Sequence, residues 1–181
     1  MCGRYRFYDH SNPDIAKLID KARETLPPMT FQELSLEEVF PGSLILVRLF
    51  QGKDGFSVCR WGFPFKGKLI INARSETWKD TPLFRGTHPC IIPASGYYEW
   101  SSGHRKYSFT DRDTIFMAGL MKKIDGEWRA VILTEDASPK HAEIHGRQPV
   151  RIAKEQFDAW LRSGIFMPDR HDLNIAEEEN A

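Results

Sequence analysis

Cysteine is scarce in these 181 residues: three, at positions 2, 59 and 90, an odd number with wide spacing. That pattern excludes a disulfide framework and contains no CxxC zinc motif. A metal site would have to be assembled by the fold from these thiols and the six histidines, so neither metal nor cofactor is expected. Long hydrophobic runs are missing too. No stretch is long and apolar enough to span a membrane, and residues 1–15 lack the basic-then-apolar order of a secretory signal. A cytoplasmic protein without membrane contact is expected. Net charge is also absent, with 25 Lys and Arg balancing 25 Asp and Glu. This excludes a broad basic field for gripping nucleic acid; any such contact must use a local groove with modest salt dependence. There is no internal repeat and no linker, which points to one domain and a monomer.

What is present is mostly strand. Residues 2–8 alternate, with Tyr5 and Phe7 on one face and Arg4 and Arg6 on the other. Asn12 and Pro13 start a helix that runs to about Glu24 and ends before Pro27-Pro28. Residues 29–41 read as an irregular connection. Hairpins are expected from 44–50 with 56–61 around a turn at 51–55, from 96–100 with 106–110, and from 114–120 with 128–134 around Asp125-Gly126. Shorter strands fall at 69–71 and 90–92, a helical turn or two at 139–144, and an amphipathic helix at 153–161. The fold class expected is α+β: a single domain around a strongly curved, barrel-like, mostly antiparallel mixed sheet with flanking helices. Residues 1–165 form that domain, and 166–181 read as a polar, acidic, disordered tail.

The chemistry begins at Met1-Cys2-Gly3-Arg4. Initiator methionine is normally trimmed before a residue as small as cysteine, which would leave Cys2 with an α-amine and a thiol on adjacent carbons. With unperturbed pKa values of about 7.7–8.0 and about 8.5, both are usable nucleophiles near neutrality. The amine condenses with an aldehyde to an imine, and the thiol closes a thiazolidine ring with the effective concentration of an intramolecular reaction. The bland reading is an ordinary residue at a frayed terminus.

Four further stretches carry polar groups in apolar settings. In Asn72-Ala73-Arg74-Ser75-Glu76-Thr77, alternation puts Asn72, Arg74 and Glu76 on one face. In Gly96-Tyr97-Tyr98-Glu99-Trp100, a carboxyl stands among aromatics, a setting that raises its pKa and suits it to general acid or base work. In His145-Gly146-Arg147-Gln148-Pro149, a proton donor lies beside a phosphate contact. Trp61 and Phe63, in Trp61-Gly62-Phe63-Pro64-Phe65, could stack on bases or fill the core.

Taken in this order, Met-Cys-Gly-Arg, Asn-Ala-Arg-x-Glu-Thr, Gly-Tyr-Tyr-Glu-Trp and His-x-Arg-x-Pro closely resemble the SRAP family over roughly residues 1–165. These SOS-response-associated proteins crosslink covalently to abasic sites in single-stranded DNA. The resemblance implies that Cys2 is the nucleophile, that Asn72 holds the Cys2 end of the site and the sugar remnant, that Glu99 moves protons during imine formation and reversal, and that His145 helps to open the sugar ring. Arg4, Arg74 and Arg147 would contact phosphates, with Trp61 and Phe63 lining the DNA groove. The partner implied is single-stranded DNA containing abasic sites, which would make the cytoplasmic protein nucleoid-associated when bound. Cysteine-dependent (auto)peptidase activity and a non-enzymatic reader of modified DNA are the alternatives. The chain departs from the family pattern at Gln148, in the reduced Phe63-Pro64-Phe65-Lys66 stretch, and in its acidic end.

Overall fold

The computed structural model describes residues 2–8, 12–49 and 55–178. Of the turn expected at 51–55, residues 51–54 lie outside the described residues, as do positions 1, 9–11, 50 and 179–181.

In chain order the elements are β1 (Arg4–Arg6), α1 (Pro13–Thr25), α2 (Pro28–Glu33), β2 (Glu38–Val39), β3 (Leu44–Arg48), β4 (Phe56–Trp61), β5 (Phe63–Phe65), β6 (Lys68–Ile70), β7 (Asn72–Arg74), β8 (His88–Trp100), β9 (Lys106–Ile124), β10 (Glu127–Asp136), α3 (Pro139–Ala142), β11 (Arg147–Pro149), α4 (Phe157–Ser163) and β12 (Asn174–Glu177). Strands β3, β4, β10, β9 and β8 pair in turn and close on themselves as a barrel, since β8 bonds both β9 and β3. All of these pairings are antiparallel except β10 with β4, so the barrel is mixed, as expected. Ala130 to Leu133 of β10 are buried on both faces: Ala130 and Ile132 point into one apolar cluster, Val131 and Leu133 into a second beneath α4. That double burial is why this segment reads as a continuous apolar run rather than an alternating one.

Helix α1 starts where its cap predicts. Asn12 Oδ1 accepts from the Ile15 N–H at 3.3 Å and from the Thr114 hydroxyl at 2.6 Å, tying the helix to β9. Ile15, Ile19 and Ala22 then face the core at helical spacing.

The hairpin expected from 96–100 with 106–110 is one end of a longer pairing of two long strands, and the one expected from 114–120 with 128–134 forms between β9 and β10. β8 and β9 stay paired from His88↔Met121 to Trp100↔Lys106, with a shift between Ala94 and Gly96. There Ser95 faces the unpaired run 111–114 of β9, a bulge that breaks the alternation and splits the pattern read along the sequence. Gly96 is needed beside it, because a Cβ would stand 2.9 Å from the Phe109 carbonyl oxygen.

The tail is a correction. Residues 174–177, expected to be disordered, form β12 and pair antiparallel with β9 from Tyr107 to Thr110. Acidic composition suggested a solvated end, but Glu177 meets a partner for its charge: its carboxylate takes Arg105 at 3.1 Å and the Tyr107 hydroxyl at 3.1 Å. Among the described residues no helix is long and apolar enough to cross a membrane.

Candidate active site

β1 lies between β8 and β2, with Arg4 opposite Tyr98 and Tyr5 opposite Tyr97. Cys2 precedes this strand, two residues before its first paired position at Arg4. Tyr5 and Phe7 are buried while Arg4 and Arg6 are partly exposed, as alternation predicts. Cys2 itself is fully buried. Burial, and then the nearby Glu99 charge, push its thiol well above the ordinary value, while the thiol donates weakly to the Arg4 carbonyl at 3.8 Å.

Asn72 opens β7, which runs parallel to β10. Its Nδ2 donates to the Cys2 carbonyl at 3.1 Å across 70 residues of sequence. This fixes the amide orientation and leaves Oδ1 as a buried acceptor with no protein partner among the described residues. The Asn72 backbone is held from behind by Trp61, whose indole N–H donates to the Ile71 carbonyl at 3.1 Å. The Trp61 ring also packs edge-on against Tyr5 at 5.3 Å. Trp61 and Phe63 are each fully buried, so neither offers a face to a base. The expectation that they line a DNA groove is overturned: their surfaces fill the barrel and the space beside Phe84, and Trp61 supports the site from within.

Glu99 is 1% exposed near the end of β8, and burial pushes its carboxyl up to about 7. His145 faces it, with Nδ1 4.0 Å from Glu99 Oε2. Burial lowers the imidazole pKa, so the ring is neutral near pH 7. Nδ1 stands 3.1 Å from both the N–H and the carbonyl of Arg147. Nδ1 accepting from the N–H places the ring proton on Nε2, while an Nδ1–H, in the other tautomer or the protonated ring, donates to the carbonyl.

The loop carrying His145 is braced on several sides. His141 is buried, stacks on Phe109 at 4.2 Å between ring centres, and donates from Nδ1 to the His145 carbonyl at 3.0 Å. Burial lowers its pKa to about 4, so this contact persists at neutral pH. Gln148 closes the neck of the loop, accepting from the Ser138 N–H at 2.9 Å and donating to Glu135 at 3.0 Å.

The three arginines expected at phosphates differ. Arg74 is exposed and has no ion pair among the described residues. Arg4 bonds Glu38 at 3.2 Å and lies over the rings of Phe40 and Trp100 at 4.3 and 5.2 Å. Arg147 is mostly buried and gripped by Glu76, by Asp136 and by the Thr134 carbonyl. Sequence reasoning gave Glu76 only a face; β7 ends at Arg74 and the chain turns before Glu76, so strand alternation does not reach it. His141, Thr134 and Asp136 were missed altogether, because only the fold brings them to the loop.

Cys2, Asn72, Glu99 and His145 thus converge on one end of β1, whereas a cavity of about 500 Å³ between α1 and Phe116 and Phe157 lies elsewhere. Among the described residues no group of His, Cys, Asp and Glu side chains is placed to hold a metal ion.

Solved structures share this architecture. A protein from Bacteroides thetaiotaomicron superposes with a TM-score of 0.74 at 21% identity, over 99% of this chain and 93% of that one. One from Bordetella bronchiseptica gives 0.73 at 22%, over 99% and 100%. Two curated relatives from Bacillus subtilis (strain 168) are similar in sequence. Abasic site processing protein YobE is 33% identical over 93% of this chain and 85% of its own, and abasic site processing protein YoaM 29% over 93% and 82%. The profile of the family described as SOS response associated peptidase (SRAP) matches residues 1–178, which takes in β12. The chain belongs to the SRAP family.

Proposed function

We propose that this protein processes abasic sites in DNA by capturing the ring-opened sugar on Cys2 as a thiazolidine. The observation that carries this reading is a buried carboxyl with a pKa of about 7, set beside an amino-terminal cysteine whose carbonyl Asn72 holds. Once Met1 is removed, the Cys2 amine adds to the sugar aldehyde and the carbinolamine loses water to give an imine. The thiol sulfur then adds to the imine carbon, its proton passing to nitrogen, so the net product is a thiazolidine and one water. Glu99, poised near neutrality, gives a proton to the departing hydroxyl and takes one from the thiol. The Asn72 Oδ1 is an acceptor for a sugar hydroxyl, and the neutral His145 donates from Nε2 to the ring oxygen as it opens. Arg74 contacts a flanking phosphate, with Arg4 beside it. Run backwards, the same groups release the DNA.

The names of the Bacillus relatives support abasic-site processing. Single-stranded DNA is the proposed form, since a sugar must leave its stack to reach a terminus held within a sheet. The peptidase reading needs a thiolate nucleophile, and a thiol raised by burial and by Glu99 is the reverse of an activated one.

The test is a denaturing gel of protein mixed with abasic single-stranded DNA. Covalent product is expected only from chains with a free Cys2 amine. Cys2→Ala gives none, and Cys2→Ser gives at best a labile adduct. Equal crosslinking by protein with a blocked amino terminus overturns the mechanism.

A further inference from the structure

We infer that Glu76 is a positioning residue for His145, acting through Arg147; this rests on the reading of His145 given above. The guanidinium of Arg147 meets the Glu76 carboxylate as a two-pronged fork, Nη1 to Oε1 at 2.8 Å and Nη2 to Oε2 at 2.9 Å. It also donates to the Thr134 carbonyl at 2.7 Å and to Asp136 at 2.5 Å. Glu76 lies just past the strand that carries Asn72, and Arg147 lies two residues past His145. The fork therefore joins the two segments whose side chains must meet at Cys2.

The two carboxylates on Arg147 are not equal. The Asp136 side chain is 89% exposed, so water and salt screen its contact. Glu76 is less exposed, takes both prongs, and its carboxyl is held below the usual range by that hydrogen bonding. Paired forks of this kind fix direction as well as distance. What they fix here is the Arg147 backbone, whose N–H donates to His145 Nδ1 in the tautomer that carries its ring proton on Nε2. A freed Arg147 would let that N–H swing off and allow the other tautomer, which presents an acceptor where the sugar oxygen needs a donor.

Glu76→Gln tests this with little change of shape. The amide can hold one prong and not both. Single-turnover crosslinking is expected to fall roughly 10- to 100-fold, the scale of a small misplacement of a reacting group. Affinity for single-stranded DNA, read by anisotropy with a Cys2→Ala background, is expected to stay within about twofold, because ring orientation is not a phosphate contact. Glu76→Asp restores part of the rate, and Asp136→Asn leaves it unchanged. The ring-nitrogen resonances of His145 in ¹⁵N-labelled protein without DNA move from the Nε2–H form toward a mixture in Glu76→Gln. The rival outcome is tighter DNA binding with steeper salt dependence, an unchanged rate and an unchanged tautomer. That would make Arg147 a phosphate contact that Glu76 merely shields, and would overturn the inference. If wild-type protein forms no covalent product, the proposed function fails, yet the resonances still decide the tautomer.

Discussion

Two carboxylate–imidazole pairs sit on this barrel, and they are tuned in opposite directions. In Glu99 and His145, 4.0 Å apart, burial raises the acid to about 7 and lowers the base, so both lean toward neutrality. In Asp169 and His171, 2.6 Å apart, burial pulls the same way but direct hydrogen bonding overrides it. His171 is raised by Asp169 and by a second carboxylate, Asp111, and Asp169 is lowered. The difference lies in contact and water. Glu99 is almost wholly enclosed and stands 4.0 Å from its histidine; the His171 ring is half exposed and bonded at both nitrogens. A pair held 4.0 Å apart, with its acid near 7, suits proton movement, whereas a pair in direct contact makes a joint.

That contrast can be broken most sharply at Glu99. Glu99→Gln keeps the shape and removes the titration, so single-turnover crosslinking should drop by roughly 10²–10⁴-fold. The wild-type rate should rise with pH through an apparent pKa near 7 where Glu99 acts as base, and that limb should vanish in the variant. An unchanged rate would make Glu99 a second joint.

Next in size is stability. A folded-state pKa raised above the unfolded value contributes stability that is complete below the unfolded pKa and is lost as pH rises through the folded one. Ionising Glu99 should thus cost the fold on the order of 2–4 kcal/mol as pH rises from about 4.5 to beyond 7. Denaturant titrations at pH 5 and 8 should show this loss in wild type and not in Glu99→Gln. Equal loss in both would place the destabilisation elsewhere.

The smallest effect belongs to His171. Its pKa is also raised, so its contribution is present below about 6.5, the unfolded value, and is lost as pH rises through the folded one. A half-exposed group is screened, so the change should stay below about 1 kcal/mol. It should be local: the protection of β12 amides, taken relative to their intrinsic exchange rate at each pH, should fall at high pH, and His171→Gln should abolish that fall while leaving crosslinking intact.

Much of this was legible along the chain, and the exceptions share a cause. The pairing of β9 with β10 around Asp125-Gly126, the Asn12 cap and the alternation of β1 are local patterns, and each holds. Cys2 stood out by its place at the terminus, and Asn72, Glu99 and His145 by the stretches that carry them; the fold brings the four together. The failures are long-range. Helix α2 has no side-chain cap and buries no residue, so only Pro28 at its start marks it. β12 looked like a solvated acidic end because Arg105 and Tyr107, which receive Glu177, lie some 70 residues earlier. Trp61 and Phe63 looked available to bases until the barrel closed over them. The Glu76–Arg147 fork spans 71 residues and has no signature in either stretch alone.

The placing of β1 between β8 and β2 sets a timetable. During synthesis Arg4 leaves the ribosome long before Tyr98, its partner in the sheet. At about 5–20 residues per second, the terminus waits roughly 5–20 s without the strand that will cover it. Any enzyme that removes Met1 works most freely in that interval, since the finished sheet leaves Cys2 fully buried. On the proposed reading, the nucleophile is matured first and enclosed afterwards. Chains refolded with Met1 still attached should resist the trimming that nascent chains accept.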